Sequence, residues 1–244
     1  MKTLTSEQFA PITSAVGFLE LSLNDAADAL TAWKHKLASR VVATPLKSPF
    51  PEVLRRLEPL VGGARPRQLL VSTGPRWTAY FDCLLRGPDA VSAVGYLSRT
   101  VQCQGVVVDC TPTIKEAPGV RPPRYGSVQF QLFGPLPTHF INYVRTIYAA
   151  YDGSRWEFGA NGTEQAFEEP EFYTARKIRD RFTSDMLERY CQALGIDVFN
   201  VDAYGPDAVL VDSDDPVDGL TVKSLAEVQQ WLGIVPGEAD ALPG

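Results

Sequence analysis

The chain has little of what most often marks a reactive site. Only two histidines occur in its 244 residues, His35 and His139, and neither stands in a metal-binding or nucleophile motif such as H-E-x-x-H. The four cysteines (Cys83, Cys103, Cys110 and Cys191) make no C-x-x-C pair and no dense framework, which argues against a disulfide-stapled secreted domain and for reduced, buried thiols. Cys103 and Cys110 could still meet across neighbouring elements. The G-x-S-x-G, G-x-x-x-x-G-K-[ST] and G-x-G-x-x-G patterns are missing, which removes the hydrolase elbow, the P-loop and the dinucleotide fingerprint. No cofactor and no metal is therefore expected.

Long apolar runs are missing too. The longest uncharged stretch, Ser127 to Val144, is interrupted by Gln129, Gln131, Pro135, Pro137, His139 and Asn142, so no membrane helix is expected. Glu7 and Glu20 bracket the broken apolar run near the N-terminus, a poor secretory signal, and the expected compartment is cytoplasmic. Positive charge is the scarcer sign, with 23 Lys and Arg against 29 Asp and Glu, a net charge of −6 and a pI near 5.0. Such a surface repels phosphate and anionic lipid, which disfavours nucleic acid and membrane, and it suits a basic protein partner. Sixteen arginines against seven lysines indicate GC-rich coding.

What is present is an ordinary globular composition, 45% hydrophobic and 21% charged, long enough for one large core. Asn24 as a cap followed by Ala26, Leu30, Trp33 and Leu37 predicts a helix, and Val16 to Leu23 before it has the content of a strand. Leu69 to Ser72 and Trp77 to Cys83 flank a Thr-Gly-Pro-Arg turn and read as paired strands; Gly87-Pro88-Asp89 then opens a helix carrying Val91, Val94, Leu97 and Val101. Gly105 to Val108 has the character of a central strand, and the proline-rich segment Thr111 to Arg124 that of a surface loop. Strands follow at 127–133, 140–149 and 154–159, the last two joined by an Asp152-Gly153 hairpin turn. Pro170 is expected to lead a basic helix through EFYTARKIRDRF, Thr183 to cap another, and Thr221 to Leu232 to form the last, closed by Gly233. The fold class expected is α+β in one domain spanning 1–244, a mostly antiparallel central sheet with helices packed on one face and a loose tail from about 235.

Candidate contact residues come from two places. In the strand after the turn, Trp77, Ala79 and Phe81 share a core-like face. Arg76, Tyr80 and Asp82 point the other way, with Arg86 just beyond, as a binding surface or a polar sheet face. The second place is the run Asp212, Asp214, Asp215 and Asp218. Pro216 and Gly219 oppose the helix that would gather these carboxylates for magnesium, so the run reads as an acidic loop offered to a cationic partner. Among carboxylates, Glu157, between Trp156 and Phe158, is the candidate with apolar neighbours for acid or base chemistry, and a scattered enzyme site would draw on Asp82, Glu157 or this acidic loop.

The W-T-A-Y-F-D strand, the D-G-S-R-W-E-F hairpin and the E-x-F-Y-x-x-R-K-I-R-D-R-F segment, over Trp77 to Leu194, resemble bacterial proteins of the toxin-immunity type. The resemblance implies a cytosolic module that neutralises a cognate toxin by binding it, and it transfers no catalytic residue. The alternative is an enzyme with a scattered carboxylate and arginine site acting on a small polar substrate.

Overall fold

The computed structural model describes residues 1–38, 40–63, 66–119, 121–213 and 219–238. The strands are β1 (Ala15–Leu19), β2 (Val42–Lys47), β3 (Leu60–Gly62), β4 (Gln68–Ser72), β5 (Thr78–Asp82), β6 (Gly105–Thr111), β7 (Ser127–Phe133), β8 (Tyr143–Tyr151), β9 (Trp156–Gly162), β10 (Asp207–Asp212) and β11 (Thr221–Lys223). The helices are α1 (Leu23–Lys34), α2 (Ala90–Val101), α3 (Ser184–Ala193) and α4 (Leu225–Leu232). Nine strands form one sheet in the order β2-β10-β4-β5-β1-β6-β7-β8-β9, and every ladder in it is antiparallel. The α+β class with an antiparallel sheet is thus the observed one, and no helix among the described residues is long and apolar enough to cross a membrane.

The sequence of β4 to β6 dictates burial on both sides. Leu69 and Val71 face one way and Leu70 the other; Val106 and Val108 face one way and Val107 the other. Strands apolar on both faces need cover on both. The helices α1 and α2 cover one face, over β4 with β10 and over β1 with β6 respectively. The opposite face is covered as well, by α3, α4, 3-10 segments and the stretch leading into α3, where Phe182, Met186, Tyr190, Leu225 and Val228 join the larger core. Close approach of α2 depends on two glycines. A Cβ on Gly17 would stand 2.6 Å from Val94 Cγ2, and one on Gly105 2.4 Å from Val94 Cγ1.

Helix ends follow local chemistry. The Ser22 hydroxyl accepts from Asp25 N and starts α1 two residues before Asn24; the helix stops at Lys34, leaving Leu37 60% exposed rather than on the buried stripe. Asp89 and Thr183 cap α2 and α3. A Ser224–Glu227 capping box starts α4, so the first three residues of the expected 221–232 helix instead pair with β3 as β11. The expected basic helix after Pro170 is also absent. Two 3-10 turns, Pro170–Thr174 and Ile178–Asp180, are separated by extended backbone at Ala175 and Lys177. Tertiary bonds hold the break: the Tyr173 hydroxyl donates to Glu168 Oε2 at 2.8 Å and Arg181 Nε to the Ala175 carbonyl at 2.8 Å.

The four cysteines are free and buried, Cys103 and Cys110 included. Of the expected loose tail, residues 235–238 are tied down: Gly237 N donates to Ser6 O at 2.8 Å and Glu238 pairs with Arg121. The rest of the tail lies outside the described residues.

Candidate functional site

The four candidates from the first segment do not form one surface. Arg76 is exposed and bound to Glu20, Nε to Oε1 at 2.7 Å. Tyr80 and Asp82 are 1% and 0% exposed because α1 and α2 cover the face that alternation gave them. Their groups close a network: Gln68 Nε2 donates to the Tyr80 hydroxyl at 2.8 Å, which donates to Asp82 Oδ2 at 3.1 Å. Asp82 also accepts from Leu84 N at 3.1 Å and Asp89 N at 2.9 Å, fixing the turn that leads into α2. Burial raises the Asp82 carboxyl from 3.8 to about 6 against these bonds, and pushes the Tyr80 phenol well up. The network floors a cavity of about 420 Å³ that also touches Lys34, whose ammonium reaches the Pro66 carbonyl at 2.8 Å. Burial lowers the Lys34 pKa. Tyr80 and Asp82 therefore serve the interior and offer no contact area to a protein partner.

Asp212 is not in a loop but ends β10, a strand flanked by β2 and β4, and its Oδ1 accepts from Ser213 N at 2.8 Å. Asp214, Asp215 and Asp218 lie outside the described residues. Glu157 is exposed and paired with Arg155 at 2.7 Å, so it is no isolated acid in an apolar pocket.

Arg86 belongs to a different place, a cleft of about 460 Å³ at the end of the sheet where β1 begins and β6 ends. Its guanidinium lies 5.0 Å from the centre of the Trp231 ring. Asp109 and Arg124 line the same cleft. Asp109 accepts from the hydroxyls of Ser127 and, at 3.5 Å, Thr111, yet burial raises it to about 6, with both hydroxyls and the Arg124 charge opposing. Arg124 is held by reciprocal backbone bonds with Ile114, 2.9 and 3.0 Å, and its Nη2 pairs with Glu7 Oε1 at 2.8 Å. Glu7 reaches this pair from a left-handed turn in which Thr5, Ser6 and Glu7 have φ of 57°, 48° and 62°. Such a run costs about 1–2 kcal/mol per non-glycine residue. One oxygen of Glu7 and Nη1 of Arg124 remain buried without a partner among the described residues. Sequence reading passed over this cluster because its members are far apart in the chain and Arg124 ends a loop rich in proline.

The third feature is apolar. Between β7 and β8, Leu136, Phe140 and Ile141 are 65%, 66% and 53% exposed. The loop that carries them is nevertheless fixed. Asn142, fully buried, donates to Ser98 Oγ at 3.0 Å and to the Gly134 carbonyl at 2.9 Å; Thr138 N donates to Ile141 O at 2.9 Å; Gln102 Nε2 reaches the Pro135 carbonyl at 2.9 Å. Phe140 stacks on Tyr143 at 5.5 Å, and Ile141 sits at φ 55°, a region that β-branched residues rarely adopt. Comparison of the chain with protein families, with curated proteins and with solved structures finds no match.

Proposed function

We propose that the protein is a binding module that engages a protein partner through the loop between β7 and β8. The carrying observation is that three large apolar side chains are held out to solvent on a hydrogen-bonded, strained backbone. Scattered exposed apolar residues need no explanation, but three within six positions on a fixed loop bury well only against another surface. Fixing the loop beforehand reduces the entropy lost on association. With the net charge of −6, the complementary surface is an apolar pocket in a basic protein, and a cognate toxin neutralised by capture is the specific form favoured.

The test is affinity capture from the source cells with the wild-type chain and with Phe140→Ser/Ile141→Ser. Both side chains are more than half exposed, so the variant should keep its melting temperature. A partner held by wild type should be lost from the variant, since truncating an interface aromatic costs about 2 kcal/mol or more, roughly thirtyfold in Kd. That partner, expressed alone, should harm the cell, and wild type but not the variant should relieve the harm. Equal capture by both chains rejects the loop as the contact, and a harmless partner rejects neutralisation.

A further inference from the structure

The cleft beside Arg86 stands apart from the apolar loop and carries its own unexplained group. Arg124 is 9% exposed, and one of its guanidinium nitrogens is buried without an acceptor among the described residues. A buried charged donor left unpaired is destabilising, and native structures seldom leave one without an ordered water or a ligand. The backbone that places Glu7 against Arg124 is strained as well, and strain of that kind gathers where a site is organised beforehand. A second cation, Arg86, borders the same cleft over the half-exposed Trp231 ring, with Tyr125 and several prolines supplying stiff apolar walls.

We propose that this cleft binds a small organic monoanion, a carboxylate carried on an apolar ring, with the carboxylate taken by Arg124 and Arg86 and the ring by Trp231 and Tyr125. The charge balance selects a monoanion. Glu7 and Asp109 together already offset the two arginine charges, so every negative charge on a ligand beyond the first is unmatched and a dianionic phosphate is disfavoured relative to a monoanionic carboxylate. Planar guanidinium groups match a carboxylate edge, and the arginine-backed indole gives an apolar ring a flat partner. A volume of about 460 Å³ is of the size that holds small ligands.

The probe is benzoate, with acetate as the ringless carboxylate and inorganic phosphate as the dianion, followed by calorimetry and by tryptophan fluorescence on the full chain. Benzoate should bind saturably and at least about tenfold more tightly than either control. Arg86→Gln should weaken benzoate about tenfold, the scale of one hydrogen bond to a charged group, and Trp231→Leu should erase the preference for benzoate over acetate. Both side chains lie at the rim, so these variants should fold, whereas Arg124→Met would strand Glu7 and mix a folding defect with a binding one. Absence of saturable benzoate binding, tighter binding of phosphate, or benzoate affinity unchanged in both rim variants overturns the proposal, leaving ordered water to satisfy Arg124.

Discussion

Replacing Arg145 by methionine should expose how much of the fold hangs on one buried ion pair. Arg145 and Glu168 have side chains 6% and 0% exposed, joined by Nε to Oε1 at 2.8 Å and Nη2 to Oε2 at 2.6 Å. Glu168 also accepts from Gln165 N at 2.7 Å and from the Tyr173 hydroxyl, and Tyr173 lies 3.0 Å from the Tyr190 hydroxyl of α3. The pair thus fastens the segment after β9 to the sheet and to α3. Arg145→Met removes both bonds to Glu168 and the Nη1 bond to the Gly162 carbonyl at 3.1 Å, and leaves a carboxylate in the interior, a change worth roughly 3–5 kcal/mol. The donors that stay on Glu168 soften the loss, so about 3 kcal/mol is expected, or some 6–12 °C in melting temperature for a chain of this size. Urea unfolding at pH 7 measures it. Arg145→Met/Glu168→Gln should recover at least about 1 kcal/mol of the deficit, because it removes the stranded carboxylate. A loss below about 1 kcal/mol, or a double variant no more stable than the single, would refute the reasoning.

Two further outcomes follow from the geometry. Asp82 and Asp109 both titrate near 6 in the folded chain against an ordinary 3.8, so the native state holds protons that the unfolded chain has released. Stability from each is complete below about pH 4 and lost as pH rises through 6, on the order of 3 kcal/mol per group. Asp109→Asn should therefore gain on wild type between pH 4 and 7 in parallel unfolding curves; a gap that stays flat with pH would sink the assignment. Gly105→Ala should destabilise by about 1–3 kcal/mol through its collision with Val94, and Val94→Ala in the same chain should give back part of that loss; additive effects would mean the contact is not the cause.

The sequence by itself determined the strands that lie near one another in the chain. Leu69–Ser72 with the strand from Thr78, and β8 with β9 around Asp152-Gly153, are antiparallel neighbours joined by turns whose chemistry is local. Alternation likewise placed Ala79 and Phe81 in the core, and caps at Asp89 and Thr183 started the helices where expected. What alternation left open was what would cover the other side of β5: the polar letters of Tyr80 and Asp82 suggested solvent, and the covering helices turned them into an interior network. The pairing of β10 was unreadable because its partners β4 and β2 lie about 140 and about 165 residues earlier in the chain, and its own six residues carry no mark of them. Only the tertiary structure could bring Asp109 and Arg124 to one cleft and pair Glu7 with Arg124, since each is an ordinary surface residue until burial removes the water that would otherwise satisfy its charge.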